Sequence, residues 1–193
     1  WNEKLHPPLL ASLFGLPVGV ENDGNAAALA EWRLGAGRGA QDLVMLTLGT
    51  WVGGGLVLGG RLYRGWAELG HMVVVAGGPP CEGSCSGRGH IEAVASGRAA
   101  DRIARETLGN GARAQDLIDA ARAGDARATG ALAELGSLLG AGIGSLVNVF
   151  DPDVVVVGGG FGSSAGELVL ASAREAARAE VLAPAAERLR IVS

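Results

Sequence analysis

Apolar residues recur along this chain in two patterns, one typical of strands and the other of helices. Short apolar runs bounded by glycine predict buried strands at 43–49 and 153–160, and the Gly59–Gly60 pair predicts a β-hairpin within 54–65. An apolar residue at every third or fourth position predicts helices over 22–34, 90–107, 114–122, 127–149 and 164–181. The opening residues predict a helical fragment and a short strand at 17–20, and the final LRIVS is strand-like. This order of strands and helices indicates an α/β fold class.

Composition narrows the class of protein. A chain of 193 residues, 48% of them hydrophobic, is long enough for one substantial domain, or one and a fraction. The net charge of −4 does not indicate a basic surface that would bind nucleic acid. The apolar segments 43–60 and 135–150 are too short or too glycine-rich for membrane spans, and the start lacks the pattern of a signal peptide. We therefore expect a cytoplasmic protein without a membrane partner.

Both cysteines and two of the three histidines fall in one loop rich in glycine and proline. Their spacing, His71-x9-Cys81-x3-Cys85-x4-His90, suits a tetrahedral zinc site with two cysteine and two histidine ligands. Four protein ligands leave no position for a catalytic water, so the zinc would be structural. The alternatives are two free thiols or one disulfide; a cytosolic setting disfavours the disulfide, and neither alternative uses the histidines.

Three carboxylates lie near this loop or at a helix start. Asp23 occupies the predicted beginning of a helix, where it could simply be the N-cap. Glu68 and Glu92 bracket the Cys/His loop, where exposed carboxylates ordinarily face solvent. If the three converge, they form a polar pocket suited to a polyol, because carboxylates accept hydrogen bonds from sugar hydroxyls and one can act as a general base.

Two glycine turns could approach a phosphate closely, because no Cβ obstructs their backbone. One turn lies between two predicted strands at 48–55, and the other lies between a strand and a helix at 156–166. A hairpin turn or a helix cap would use the same residues, and neither turn matches the Walker or dinucleotide pattern. Together with an acidic sugar pocket, they favour phosphoryl transfer.

Taken in order, the strings ENDGNAAALAEW, LTLGTWVGGGLVLGGRLYRG, ELGH, GPPCEGSCSGRGHIEAVASG and NVFDPDVVVVGGG resemble the ROK family (repressors, open reading frames, kinases) of the actin/hexokinase-like ATPase superfamily. The resemblance implies a ribonuclease H-like large lobe at 41–193, with a zinc loop at 71–90, after a remnant of the small lobe at 1–40. It implies a glucokinase-like hexose kinase that uses ATP and Mg²⁺, and relatives commonly form homodimers. A sugar-sensing transcriptional repressor and a truncated non-catalytic relative are the alternatives.

The resemblance also assigns roles to individual residues. Asp23 would be the catalytic base. The other contacts to sugar hydroxyls would come from Asn22, Glu68, His71 and Glu92, and His71 would also bind zinc. The second phosphate loop would contain Gly49, Thr50 and Gly53, and the adenosine turn would contain Gly158, Gly159 and Gly160. His90 stands where many members have a third cysteine, so the zinc ligands would be His71, Cys81, Cys85 and His90.

The sequence departs from the family pattern in several places. It has no Asp-x-Gly-Gly-Thr-like loop of the small lobe, and it ends before the closing helix expected in the family. Trp51 replaces a phosphate-loop glycine, where an indole would intrude on the phosphates, and the loop before Glu68 is several residues shorter than usual. We therefore expect a fragment that does not phosphorylate sugar by itself.

Overall fold

A mixed sheet of five strands lies at the centre of the structure, a computed structural model that describes residues 7–193. The strands are β1 (Leu43–Leu48), β2 (Val52–Leu58), β3 (Arg61–Leu62), β4 (Val154–Gly158) and β5 (Ile191–Val192), in the spatial order β3-β2-β1-β4-β5. Strand β1 pairs antiparallel with β2 and parallel with β4, and β4 pairs parallel with β5. The sheet confirms the predicted α/β class.

Nine α-helices occur in the described part of the chain. They are α1 (Pro7–Phe14), α2 (Asp23–Leu34), α3 (Ile91–Ala95), α4 (Gly97–Leu108), α5 (Ala114–Arg122), α6 (Ala126–Phe150), α7 (Gly160–Ala165), α8 (Glu167–Glu180) and α9 (Ala185–Arg188). A short 3₁₀ turn at Leu69–His71 precedes the Cys/His loop.

The sheet is covered on both faces, which explains why β1 and β4 are almost entirely apolar. Alternate residues of β1 point to opposite cores: Leu43 and Met45 belong to the small core beneath α2, whereas Val44, Leu46 and Leu48 belong to the large core beneath the other helices. The assignment of 1–40 to a separate small lobe stays a prediction; within that range, α2 packs on β1 and β2.

Helix α6 is, within residues 7–193, the one helix long and apolar enough to cross a membrane, with a mean hydropathy of 1.4 over its apolar window. Its apolar side is accounted for by core packing, because 56% of that window is buried and α6 lies along α8. Glycines at 136, 140 and 144 permit the close approach: a Cβ on Gly140 would lie 2.4 Å from the carbonyl oxygen of Ala173.

Several predicted boundaries were wrong. The expected strand at 17–20 is irregular, since no other described segment pairs with it. The helix expected over 90–107 is interrupted at Ser96, whose side chain accepts a hydrogen bond from the Ala99 N–H and begins α4 as its N-cap. The helix expected over 164–181 is divided at Gly166, which has a positive φ of 52°. The Gly59–Gly60 hairpin turn is confirmed, with φ values of 56° and 71°. The opening prediction falls partly on residues 1–6, outside the described residues.

Candidate functional site

The Cys/His loop brings its four predicted metal ligands together. One donor atom from each of His71, Cys81, Cys85 and His90 lies within 4.8 Å of all the others. The Nδ1 atom of His90 is 3.3 Å from Nδ1 of His71, 3.1 Å from Sγ of Cys81 and 3.7 Å from Sγ of Cys85. Tetrahedral zinc ligands at about 2.0–2.3 Å from the ion lie about 3.3–3.8 Å apart, so these residues could hold a metal ion of that size.

Backbone hydrogen bonds fold the loop around this cluster. The N–H of Cys81 donates to the carbonyl of Gly87 at 2.9 Å, and the N–H of Gly89 donates to the carbonyl of Pro79 at 2.8 Å. Gly87 lies against the imidazole of His90, where a Cβ would come within 2.2 Å of Cε1. The glycines of this loop therefore make room for a ligand as well as allowing the turns.

Both cysteines are free thiols in the structure, not a disulfide. Partial burial, with the neighbouring thiol of Cys85, raises the pKa of Cys81 to about 11. Burial and a second thiolate both oppose ionisation, so a nearby cation is what would favour the thiolate form of such a pair.

Asn22 and Asp23 begin helix α2 in different roles. The side chain of Asn22 is the N-cap and accepts a hydrogen bond from the Asn25 N–H at 3.1 Å. Asp23 follows in the first turn, where it is exposed. The N-cap residue is thus Asn22, whereas the carboxylate of Asp23 accepts a hydrogen bond from the Gly24 N–H at 2.9 Å, and its role as a catalytic base stays a prediction.

Three elements that carry predicted sugar ligands meet at the start of β2. Helix α2 approaches so closely that a Cβ on Gly24 would lie 2.2 Å from the carbonyl oxygen of Gly54. The 3₁₀ turn approaches in the same way, with Gly70 against the carbonyl of Val52. From α3, the carboxylate of Glu92, which is only 8% exposed, accepts a hydrogen bond from the Val52 N–H at 3.1 Å. One strand end thus receives all three elements.

Three of the five predicted sugar ligands line two cavities, and Asn22 and Asp23 line neither of them. Glu68 and His71 line an open cavity of about 480 Å³, together with Tyr63 and Trp66. Glu92 lines a second cavity of about 180 Å³ beside the Cys/His loop. The expected convergence of all three carboxylates in one pocket stays a prediction.

The sequence interpretation did not include Tyr63 and Trp66, which contribute two of the aromatic rings to a chain that is only 4% aromatic. A signal was available, because both residues come just before Glu68 in a segment where aromatic residues are otherwise scarce.

The two glycine turns lie side by side at one edge of the sheet. Gly53 pairs with Thr47 across β1 and β2, and Thr47 pairs with Gly158 across β1 and β4. Gly159 lies against the backbone of Leu48, where a Cβ would come within 2.6 Å of the carbonyl oxygen. Gly160 then begins α7. Glycines from distant parts of the sequence therefore lie next to one another here, with the side chain of Thr47 between Gly53 and Gly158.

The first residues of α4 close this surface from a third direction. The N–H of Gly97 donates to the carbonyl of Gly49 at 2.8 Å, and the N–H of Arg98 donates to the carbonyl of Thr50 at 3.4 Å. Because these N–H groups are already used, an incoming phosphate would have to find its donors among the other backbone groups of the turns.

The indole of Trp51 packs beside the Cys/His loop, and its expected intrusion on the phosphates stays a prediction. The guanidinium of Arg98 stacks on the indole, 4.6 Å from the ring centroid, and is itself paired with Glu82 between the two cysteines. Gly83 of the same loop also borders the indole. The ring therefore lies against the Cys/His loop, held by a cation–π contact.

Comparisons with known proteins agree with this arrangement. The model of the ROK family matches residues 4–192. The chain is similar to a glucokinase from Thermotoga maritima, with 40% identity over 184 residues that cover 86% of this chain and 57% of the relative. Its structure is similar to a ROK family glucokinase from Streptomyces griseus in complex with glucose and AMPPNP, with 38% identity, a TM-score of 0.84, and coverage of 96% of this chain and 65% of that one.

Regulators are also among the similar proteins. A ROK family transcriptional regulator, a homolog of the Escherichia coli MLC protein, has 30% identity and a TM-score of 0.86 over 96% of this chain and 50% of its own. The chain spans less than two thirds of the length of each of these three proteins. With a family model that matches nearly every residue, and with the actin/hexokinase-like fold of its structural neighbours, this chain belongs to the ROK family.

Proposed function

We propose that this chain carries the sugar-binding core of an ATP-dependent hexose kinase of the glucokinase type. The proposal rests on the contacts made at the start of β2. Val52 and Gly54 contact the elements that bear the predicted sugar ligands, and Gly53 between them belongs to the row of residues that reaches the second glycine turn. A sugar hydroxyl and a terminal phosphate held on the two sides of this strand end would be neighbours.

The reaction assigned to this site is an in-line phosphoryl transfer. The sugar hydroxyl oxygen attacks the γ-phosphorus of ATP, the bond from that phosphorus to the β–γ bridging oxygen breaks, and ADP leaves. Asp23 accepts the hydroxyl proton, a role worth about 10²–10⁴-fold in rate. Asn22, Glu68, His71 and Glu92 hold the other hydroxyls, and the glycine turns approach the nucleotide. Mg²⁺ bound with the nucleotide supplies neutralisation of the phosphate charge.

We assign a structural zinc ion to His71, Cys81, Cys85 and His90. The donor set is the one that zinc prefers, and the spacing of the donor atoms fits a tetrahedral site. With Nδ1 of His71 facing the cluster, its Nε2 is left for a sugar hydroxyl. The ion would thereby fix the 3₁₀ turn that carries one sugar ligand and the loop that leads to Glu92.

A sugar-sensing transcriptional repressor is the second candidate function. The similarity to the ROK family regulator over 96% of this chain favours it. In that function the same pocket would bind sugar without phosphoryl transfer. For either function we propose a cytoplasmic location, and we propose a homodimer on the family resemblance alone.

A coupled assay for ADP tests the proposal. The protein that carries this chain is incubated with ATP, Mg²⁺ and glucose, mannose or N-acetylmannosamine, and its Asp23→Asn variant is measured in parallel. We expect hexose-dependent ADP formation that falls by about 10²–10⁴-fold in Asp23→Asn, with the glucose dissociation constant changed by less than about two-fold. The control is Glu175→Gln, which removes an exposed carboxylate on α8.

The outcomes separate the candidates. Glucose binding without ADP formation would favour the regulator, and near-normal turnover by Asp23→Asn would show that this residue is not the base. An absence of hexose binding would contradict both functions.

A further inference from the structure

Two aromatic side chains project from the short loop after β3 without being buried by the rest of the described chain. Tyr63 is 42% exposed and Trp66 is 88% exposed. A large ring left in water forfeits the free energy that its burial would supply, so a pair of them in a chain poor in aromatic residues indicates a surface that something covers.

The loop is tied at one end to Glu21, two residues before the helix that carries the proposed base. Arg64, between the two rings, pairs with Glu21 at 2.8 Å. Hydrogen bonds from the side chain of Asn25 and the backbone of Asn22, with the charge of Arg64 as a lesser cause, lower the pKa of Glu21, so the ion pair is present at neutral pH. The other end of the loop runs directly into Glu68. The segment that carries both rings therefore runs from the contact with Glu21 to Glu68.

Tyr63 is also fixed in place. Its N–H donates to the carbonyl of Leu56 at 2.8 Å, which extends the pairing of β2 and β3 by one residue. Its phenol packs against the backbone of Gly65, where a Cβ would lie within 2.7 Å of the hydroxyl oxygen and two ring carbons. The ring thus has a defined position at the wall of the 480 Å³ cavity that also contains Glu68 and His71.

The chemistry of this cavity matches one class of ligand. A carboxylate and an imidazole at one side can bind hydroxyls, and aromatic faces at another side can bury apolar C–H groups. A pyranose has both kinds of surface, because its equatorial hydroxyls point outward while its axial C–H groups form an apolar face. A nucleotide phosphate would make no favourable contact with the aromatic faces, and a purely apolar ligand would make no hydrogen bond to the carboxylate of Glu68 or to the imidazole of His71.

We propose that Tyr63 and Trp66 determine sugar specificity by stacking on the apolar face of the hexose that Glu68 and His71 hold. This inference rests on the proposed function and adds residues to it. An axial hydroxyl on the stacked face would hold the sugar ring away from the aromatic rings and leave that hydroxyl without a hydrogen-bond partner. The wall therefore favours glucose over its axial epimers.

Calorimetric titration of the chain, in the presence of zinc, with glucose, mannose, allose and galactose tests the inference. We expect Trp66→Ala and Tyr63→Ala each to bind glucose about 10-fold more weakly, with the preference for glucose over at least one epimer reduced by a similar factor. Trp66→Phe, which keeps a ring, should retain most of both. Leu34→Ala is the matched control, because Leu34 is 83% exposed at the far end of α2.

Fluorescence quenching of Trp66 is a second readout, because it reports whether the bound sugar covers the ring. Glucose should protect Trp66 from quenching by acrylamide, and the protection should be absent in Trp66→Phe. Unchanged glucose affinity and unchanged epimer preference in both alanine variants would overturn the inference while leaving the proposed function intact. A wild-type chain that binds no hexose would overturn both.

Discussion

Replacing Gly87 with alanine should expel His90 from the metal cluster. The new Cβ would lie 2.2 Å from Cε1 of the imidazole, and ordinary contact begins at 3.4 Å, so the ring must move by about 1.2 Å. Metal–ligand distances tolerate a deviation of about 0.2 Å. The Nδ1 atom of His90 faces all three other donors, so a displaced ring leaves the ion with three ligands.

The expected loss of zinc affinity is about 100-fold, the upper end of the range for positions that orient a ligand. That factor corresponds to about 2.7 kcal/mol, and at saturating zinc the stabilisation of the chain falls by the same amount. Gly87 does not have a positive φ, so alanine adds no backbone strain of its own.

Competition between the chain and a chromogenic chelator measures this affinity directly. His90→Ala sets the scale for a lost ligand, and Ser86→Ala, at an exposed neighbouring position, is the control that should bind zinc like the wild type. If Gly87→Ala retains wild-type zinc affinity while His90→Ala loses it, the contact between residue 87 and the imidazole does not position the ligand, and the reasoning is refuted.

Two further predictions concern the stability of the fold: one tests helix packing and the other tests a buried hydrogen bond. Gly140→Ala should lower the free energy of unfolding by about 1–3 kcal/mol, because the new Cβ has no room against α8. Gly130→Ala on the same helix has open space around it and should raise the free energy of unfolding by up to about 1 kcal/mol. Urea denaturation measures both, and equal effects would contradict the close packing at Gly140. Glu92→Ala should lower the free energy of unfolding by about 1–3 kcal/mol, because the Val52 N–H loses its hydrogen-bond partner. Glu92→Gln keeps an acceptor, so it should lower the free energy of unfolding less while still weakening glucose binding. Equal losses of stability would show that the hydrogen bond is not what holds this carboxylate.

The parts of the fold that could be predicted are those that one segment determines alone. Leu43–Leu48 and Val154–Gly158 are apolar apart from Thr47, because both faces of the sheet are covered, so their sequences alone identify them as buried strands. The metal cluster belongs to the same group. Its four ligands lie within 20 residues and require only a loop that can turn, which the glycines and prolines supply.

The parts that could not be predicted depend on distant contacts. Ser96 interrupts a helical pattern that continues on both sides of it, and the interruption follows from the contact of Gly97 with Gly49, nearly fifty residues earlier. The position of Tyr63 involves a backbone hydrogen bond to Leu56 across the sheet, and residues 17–20 have strand-like composition but no neighbour to pair with in the described chain. Periodicity contains no information about such partners.

A glucose titration of the chain with and without its metal tests whether the metal loop builds the sugar site. Protein with one equivalent of zinc should bind glucose saturably, lose that binding when a chelator removes the zinc, and recover it when zinc is restored. Glucose binding that is equally strong after the zinc is removed, or that is absent from the zinc-loaded chain, would contradict the claim.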